Sequence, residues 1–231
     1  MSSPTQMSIG KLKRLARYLL EYPALVWTFD ETDDPFEYID IFSDSDWAGC
    51  LKTRRSTSGG VASIAGGAIK TWSSTQSVAA LSSGEAEYYA LVKAAAEGLG
   101  IQSLAKDLGW DFKVRIWVDA TAARGIVCRT GLDKIRHMET KVLWVQDALK
   151  RGRFTICKID GTMNPSDVLT KPASASEMKD KLAAVGARLR VRAKKVSWVD
   201  ATEEEFGAFT RCRRRCAGEI SEAEKTGKEP G

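Results

Sequence analysis

Four acidic residues stand in short contexts that suit them to a shared chemical task. Asp44 lies in FSDSDWAG, Glu87 in LSSGEAEYYAL, Asp119 in IWVDATAA and Asp167 in NPSDVLTKP. Asp44 and Asp119 follow apolar runs typical of buried strands, whereas Glu87 and Asp167 stand where helices are predicted to begin. Carboxylates gathered from two strand ends and two helix starts can hold two hard divalent cations over a phosphodiester. The pattern predicts a site for two Mg²⁺ ions, with Mn²⁺ as a substitute ion.

For two of these acids a neighbouring acid is an alternative candidate for the site, and a third acid has an alternative structural role. Asp46 lies two residues after Asp44, and residues two apart in a strand share a face, so spacing does not choose between them. Glu85 and Glu87 point about 160° apart on a helix, so only one of them can face a sheet, and the helical wheel does not say which. Asp119 has the alternative role of capping the helix that follows it.

Periodicity, glycines and capping residues predict the elements that must position these acids. The predicted order of the central elements is βββαβααβα, which gives a mixed sheet with helices packed on its faces. Gly66-Gly67 is a hairpin signal between the second and third strands, and Ser174 with Glu177 forms a capping box for one further helix. The predicted ranges are 6–21, 82–107, 121–129, 135–151 and a short helix from 165 for helices, and 38–44, 56–65, 68–74, 114–118 and 153–159 for strands.

Length, composition and charge limit the kinds of protein that this chain can be. A chain of 231 residues, with 43% apolar and 28% charged residues, can bury one good core and still carry tails. The net charge of +5 favours a nucleic-acid partner only slightly. Five scattered cysteines and a polar N-terminus predict a reduced, intracellular protein, and no apolar run is long enough to span a membrane. Residues 187–231 turn highly charged and are predicted to form a disordered tail.

Longer motifs surround the four acids. SDSDWAGC, RRSTSGGVASIAGGAI, SSTQSVAALSSGEAEYYAL and DVLTKP resemble the ribonuclease H domain of copia-type LTR retrotransposon Pol polyproteins. The resemblance covers residues of about 10–185. The resemblance implies an α/β, ribonuclease H-like fold with a mixed five-stranded sheet and helices on both faces. Its motifs select Asp44 over Asp46 and Glu87 over Glu85. The implied catalytic and metal-binding residues are Asp44, Glu87, Asp119 and Asp167.

The resemblance also implies a function. The implied activity is hydrolysis of the RNA strand of RNA·DNA hybrids by two-metal-ion catalysis, which is used in reverse transcription. The implied partners are the hybrid and a reverse transcriptase polymerase domain, and the polymerase domain is absent from this chain. One alternative is a catalytically decayed or domesticated nucleic-acid-binding module of the same fold. Another is a transposase or integrase of the same superfamily, which would use three acids. The candidate nucleic-acid contacts are Arg54, Arg55, Ser56, Ser58 and Gln76.

Two further expectations concern the loop before the last acid and the division of the chain. Many cellular ribonucleases H carry a histidine in that loop, but here the loop reads IDGTMNP, and the one histidine, His137, lies in IRHMETKVLWVQ. Residues 1–35 are expected to form a helix and a connector to the absent polymerase. Residues 36–186 are expected to form the ribonuclease H-like domain, followed by the tail.

Overall fold

The computed structural model describes residues 5–29, 36–119, 121–128 and 143–190. Contacts divide the chain into two units, one of Met1–Pro23 with Val191–Gly231 and the other of Ala24–Arg190. The described part of the first unit contains helix α1 (Gln6–Glu21), which confirms the predicted helix 6–21. Thr5 caps α1 by accepting a hydrogen bond from the Ser8 N–H.

The second unit contains the sheets and the other helices. No helix among the described residues is long and apolar enough to cross a membrane. In the described part of this unit, two 3₁₀ helices accompany the regular elements, Gly161–Met163 and Pro165–Leu169. The strands are β1 (Ala24–Trp27), β2 (Tyr38–Asp46), β3 (Thr57–Ile64), β4 (Gly67–Thr75), β5 (Lys113–Val118), β6 (Thr155–Lys158) and β7 (Ala187–Arg190); the helices are α2 (Ser83–Asp107), α3 (Thr121–Val127), α4 (Trp144–Lys150) and α5 (Ala175–Ala183).

Five strands form one mixed sheet in the order β4-β3-β2-β5-β6, which confirms the predicted α/β, ribonuclease H-like fold. β2, β3 and β4 are antiparallel, whereas β5 runs parallel to β2 and β6 runs parallel to β5. The hairpin between β3 and β4 turns at Ala65 and Gly66, both with positive φ, one residue earlier than predicted. Because β2 and β5 are parallel, their carboxyl ends lie at the same edge of the sheet.

Both faces of the sheet are covered. On one face Ile39 and Ile41 are fully buried with Tyr88 and other residues of α2. Gly98 lets α2 pack this closely, because a Cβ at that position would stand 3.0 Å from Ile41 Cγ1. On the other face Val61 belongs to a second apolar cluster that includes residues of α5 and the 3₁₀ helix Pro165–Leu169. Residues 135–142 of one predicted helix lie outside the described residues.

A second, two-stranded ladder joins segments that the sequence analysis placed outside the folded domain. β1 pairs antiparallel with β7, with Leu25 opposite Leu189. The folded unit therefore extends beyond the predicted limits of 36 and 186, and residues 187–190 do not belong to a disordered tail. In β7 the arginines point to solvent while Ala187 is buried, an alternation too short to stand out in a charged segment. Residues 191–231 lie outside the described residues.

Candidate active site

Three of the four predicted acids meet at one edge of the five-stranded sheet. Asp44 lies on β2, Asp119 directly follows β5, and Asp167 lies in the 3₁₀ helix Pro165–Leu169. One carboxylate oxygen from each of the three lies within 4.8 Å of the others. The parallel pairing of β2 with β5 places the first two acids side by side, because parallel strands present the same ends at one edge.

A buried asparagine carries the third acid to this edge. Asn164 caps the 3₁₀ helix, accepting a hydrogen bond from the Ser166 N–H at 3.2 Å. Its side-chain amide donates to the carbonyl of Ser43 at 3.0 Å. Ser43 immediately precedes Asp44, so this bond fixes the segment that carries Asp167 against the strand that carries Asp44. The cap is Asn164, which leaves the carboxylate of Asp167 available to the site.

The strand beside Asp44 has a glycine where the 3₁₀ helix crosses it. Gly59 pairs with Asp44 across the β2–β3 ladder. A Cβ at Gly59 would stand 2.6 Å from Thr170 Cγ2 and 3.1 Å from the Ser166 carbonyl oxygen. Gly59 is therefore needed for the close approach of the chain segment that follows Asp167.

The fourth acid, Glu87, lies near Asp44 and Asp119 but outside the group whose oxygens lie within 4.8 Å of one another. Its Oε1 accepts a hydrogen bond from the Ser45 N–H at 3.3 Å. Burial, followed by the negative charges of Asp44 and Asp119, raises the pKa of Glu87 to about 8. These interactions place Glu87 in the electrostatic field of the cluster.

Glu85 and Asp46, the alternative candidates for the site, have hydrogen-bond partners outside the acid cluster. Glu85 Oε2 accepts a hydrogen bond from the Leu81 N–H at 2.9 Å, so this side chain serves the start of α2. Asp46 accepts from the Thr57 N–H in the β2–β3 ladder. The structure thus places Asp44, and neither of these two, in the acid cluster.

Two lysines neutralise the cluster. Lys171 Nζ lies 3.1 Å from Asp44 Oδ1 and 3.2 Å from Asp167 Oδ1. Lys181 Nζ donates to Asp167 Oδ2 and to the Gly161 carbonyl oxygen, while the Thr170 hydroxyl donates to Asp44 Oδ2. Sequence reasoning assigned no role to these three donors. The available signal was the spacing of Asp167 and Lys171, four residues apart in DVLTKP, but such pairs are common at protein surfaces.

The two lysine-paired acids differ in their acidity. Burial raises the pKa of Asp44 to about 6, against the opposing effects of the Thr170 hydrogen bond and the Lys171 charge. Burial also raises the pKa of Asp167, but hydrogen bonding from Lys181 and the charge of Lys171 outweigh it and hold that pKa below its usual value. The pKa of Asp44 therefore lies above the ordinary aspartate value and that of Asp167 lies below it.

The donor set fits a hard divalent cation. The clustered atoms are carboxylate oxygens, the ligands that Mg²⁺ prefers, and three of them lie within 4.8 Å of one another, a group that could hold a metal ion. Asp44 is fully buried, and the ammonium of Lys171 compensates its charge. Asp44, Asp119 and Asp167 are the residues that fit such an ion.

The structure separates the predicted nucleic-acid contacts into two groups. Arg54 and Arg55 are exposed in the loop between β2 and β3. Ser56 and Ser58 are buried, and their hydroxyls accept hydrogen bonds from the Ala48 N–H at 3.0 Å and from Gln76 Nε2 at 2.9 Å respectively. Both hydroxyls therefore hold the protein's own loop and strand ends, and a role for Ser56 and Ser58 in nucleic-acid binding stays a prediction.

Gln76 connects the end of β4 to the first turn of α2. Its amide nitrogen donates to Ser58 Oγ and to the Ala86 carbonyl oxygen at 2.8 Å. The side chain is buried, and its carbonyl oxygen has no hydrogen-bond partner among the described residues. A role for Gln76 in nucleic-acid binding stays a prediction.

The loop before Asp167 packs tightly without a histidine. Asp160 caps the 3₁₀ turn Gly161–Met163, and a Cβ on Gly161 would stand 3.2 Å from Asp119 Oδ2. His137 lies outside the described residues. The backbone of the loop IDGTMNP therefore lies close to the acid cluster at Gly161.

Comparison with solved structures finds ribonucleases H at low similarity. The structure of ribonuclease H1 from Halobacterium salinarum aligns with 58% of this chain and 94% of its own length, at 18% identity and a TM-score of 0.40. A structure of LC11-RNase H1 in complex with an RNA/DNA hybrid aligns with 57% of this chain and 93% of its own length, at 18% identity and a TM-score of 0.39. No family model matches the chain.

Sequence relatives are more informative. The chain is 28% identical over 132 residues to the retrovirus-related Pol polyprotein from transposon TNT 1-94 of Nicotiana tabacum, covering 56% of this chain and 10% of that polyprotein. It is 37% identical over 98 residues to secreted RxLR effector protein 161 of Plasmopara viticola, covering 42% of this chain and 68% of that protein. The chain thus spans about a tenth of the tobacco polyprotein. The chain resembles the ribonuclease H domain of copia-type retrotransposon Pol polyproteins.

Proposed function

We propose that this chain is a metal-dependent endonuclease that hydrolyses the RNA strand of RNA·DNA hybrids during reverse transcription. The observation that carries the proposal is the meeting of Asp44, Asp119 and Asp167 within 4.8 Å at one edge of the sheet. The similarity to a retrotransposon Pol polyprotein supports it, because such polyproteins carry out reverse transcription. A reverse transcriptase polymerase domain is accordingly the proposed protein partner.

Asp44, Asp119 and Asp167 would hold the metal ions, with Glu87 completing the set. When bound, two Mg²⁺ ions supply Lewis-acid activation of the attacking water and neutralise charge on the phosphate. The chain supplies rigidity, since Asp44 is fully buried within a central strand. Burial and the charges of Asp44 and Asp119 raise the pKa of Glu87 to about 8, so Glu87 would give up a proton if it served as a metal ligand.

The proposed substrate contacts lie on the loop that leaves the same strand. Arg54 and Arg55 are exposed between the end of β2 and the start of β3, next to the edge where Asp44 lies. Guanidinium groups bind phosphate through paired hydrogen bonds, so both arginines are proposed to hold the hybrid's backbone. Recognition of hybrids depends on groove shape and 2′-hydroxyls more than on base sequence.

The test is cleavage of an end-labelled RNA·DNA hybrid by the purified chain, with Mg²⁺ and with a chelator. We expect cleavage of the RNA strand only with metal, and a loss of about 100-fold or more in Asp44→Asn and Asp119→Asn, the scale on which removal of electrostatic stabilisation acts. Asp46→Asn is the matched control, because Asp46 shares the strand but bonds the Thr57 N–H, which an asparagine oxygen also accepts.

The outcomes separate the candidate functions. Equal cleavage by wild type, Asp44→Asn and Asp119→Asn would show that the acid cluster is not the catalytic site. Tight binding of the hybrid without cleavage in any metal would support the non-catalytic binding module instead. Strand transfer of labelled DNA, in place of hybrid cleavage, would support the transposase or integrase alternative.

A further inference from the structure

Lys171 occupies the position between two proposed metal ligands. Its ammonium lies 3.1 Å from Asp44 Oδ1 and 3.2 Å from Asp167 Oδ1, and so bridges acids contributed by β2 and by the 3₁₀ helix. A divalent cation shared by these acids would need oxygens that the ammonium now contacts. Two cations at this distance repel strongly, because little water separates them.

Every carboxylate oxygen of these two acids already has a donor from the chain. Asp44 Oδ2 accepts from the Thr170 hydroxyl, and Asp167 Oδ2 accepts from Lys181. A hydroxyl is neutral and can stay as a second donor when a metal binds, since a carboxylate oxygen has two lone pairs. The bridging ammonium carries a full positive charge, so it cannot stay in place beside a bound metal cation.

We propose that Lys171 is an exchangeable counterion: it holds Asp44 and Asp167 together in the metal-free protein and leaves their shared position when a divalent cation binds. The inference rests on the proposed function, because it takes these two acids as metal ligands. In this proposal Lys171 is a positioning residue: it lowers the affinity of the site for metal, and it keeps Asp44 and Asp167 together when no metal is bound.

The exposure of the two lysines shows which of them exchanges. The Lys171 side chain is 48% exposed, so it can swing into solvent, where an ammonium is well hydrated. The Lys181 side chain is 14% exposed and also donates to the Gly161 carbonyl oxygen at 3.4 Å. Lys181 donates to Oδ2 of Asp167, which Lys171 does not contact, and in this proposal it stays in place and orients that carboxylate.

An exchangeable counterion has a signature of two opposite effects. Removing it leaves the buried Asp44 without its compensating charge, so the metal-free protein loses stability. The same removal takes away the competitor, so the metal binds more tightly. A lysine with a purely structural role would lose stability and would not gain metal affinity.

The experiment uses the full chain and three variants without nucleic acid. Lys171→Met keeps the aliphatic stem and removes the charge, whereas Lys171→Arg keeps the charge. Lys70→Met is the matched control, because Lys70 is 47% exposed and pairs with Glu97 at 2.5 Å. Titration calorimetry with Mg²⁺ and thermal unfolding in chelator are the two measurements, and both are independent of cleavage.

We expect Lys171→Met to bind Mg²⁺ roughly tenfold more tightly than wild type, since a like charge at contact distance is gone. We expect the same variant to unfold at a lower temperature in chelator and to show a larger rise when Mg²⁺ is added. Lys171→Arg and Lys70→Met should stay close to wild type in chelator. If Lys171→Met folds only when metal is present, that result also supports the exchange.

Other results would overturn the proposal in distinguishable ways. Unchanged Mg²⁺ affinity and unchanged stability in chelator would refute the role of Lys171 and leave the nuclease proposal standing. Failure of Lys171→Met to fold even with metal would assign the lysine a purely structural role. Absence of Mg²⁺ binding in both wild type and Lys171→Met would refute the exchange together with the metal-dependent function.

Discussion

The side-chain amide of Asn164 donates a hydrogen bond of 3.0 Å to the carbonyl oxygen of Ser43, which connects the loop before the last acid to the strand of the first. Both residues are buried and lie 121 positions apart in the chain. The geometry of the acid cluster depends on this connection, because Asp44 and Asp167 are each within three residues of it.

Replacing Asn164 with alanine should therefore destabilise the protein and disturb the site. The Ser43 carbonyl oxygen would lose its donor and the Ser166 N–H its acceptor, both in a buried region, at a cost of about 2–4 kcal/mol in unfolding free energy. Urea denaturation in chelator measures the loss. Thr162→Ala is the control, because Thr162 bonds to Asp160 at an exposed turn. A loss no larger than in the control would contradict the anchoring role.

Gly59 should tolerate no side chain. In Gly59→Ala the new methyl group would meet Thr170 Cγ2 at 2.6 Å, so the 3₁₀ segment must shift, at a cost of about 1–3 kcal/mol. Mg²⁺ affinity should fall as well, because the segment carries Asp167. Gly100→Ala is the matched control, since nothing lies within 4 Å of its Cβ position in α2 and alanine favours helix. Equal stability of the two variants would refute the close-approach argument.

Stability of the metal-free protein should fall as the pH rises from about 4.5 to about 8. Glu87 has a raised pKa of about 8 in the folded protein against 4.5 ordinarily, so the folded state binds the extra proton in this window and loses that advantage as it deprotonates. Asp44 acts in the same direction between 3.8 and about 6. The pKa of Asp167 is lowered, so its effect is opposite and falls at lower pH, around and below 3.8.

Urea denaturation in chelator at several pH values measures this dependence. Glu87→Gln, which mimics the protonated form, should flatten the decline and be more stable than wild type at pH 8, by about 1 kcal/mol or more. Glu97→Gln, at the surface pair with Lys70, is the control and should retain the wild-type slope. A wild-type stability that rises between pH 5 and pH 8 in chelator would show that Glu87 is not desolvated as described.

The exposed arginines should increase affinity for the hybrid without affecting the rate of the chemical step. Arg54→Ala and Arg55→Ala are each expected to raise KM for the hybrid about 3- to 10-fold, leave kcat nearly unchanged, and reduce the slope of log affinity against log salt by about one. Hybrid cleavage at several salt concentrations measures all three quantities. Arg151→Ala is the control, because Arg151 pairs with Asp147 on the surface of α4. Unchanged salt dependence would remove both arginines from the proposed interface.

Local patterns in the sequence predicted most elements of the fold. Ser82 caps α2 by accepting from the Glu85 N–H, and the capping box of Ser174 with Glu177 is present at α5. The five strands of the large sheet and α2 begin and end within two residues of their predicted ranges. These features were predictable because caps, turns and apolar periodicity depend on residues within a few positions of one another.

The sequence by itself determined which acids were candidates, the order of the elements that carry them and, through family motifs, the choice of Asp44 and Glu87. Only the tertiary structure showed that Lys171 bridges two of the acids, that Ser56 and Ser58 face inward, and that β1 pairs with β7. Each of these findings depends on groups brought together by folding, some more than a hundred residues apart. Local spacing has no information about such contacts, because packing and burial decide which polar side chain meets which partner.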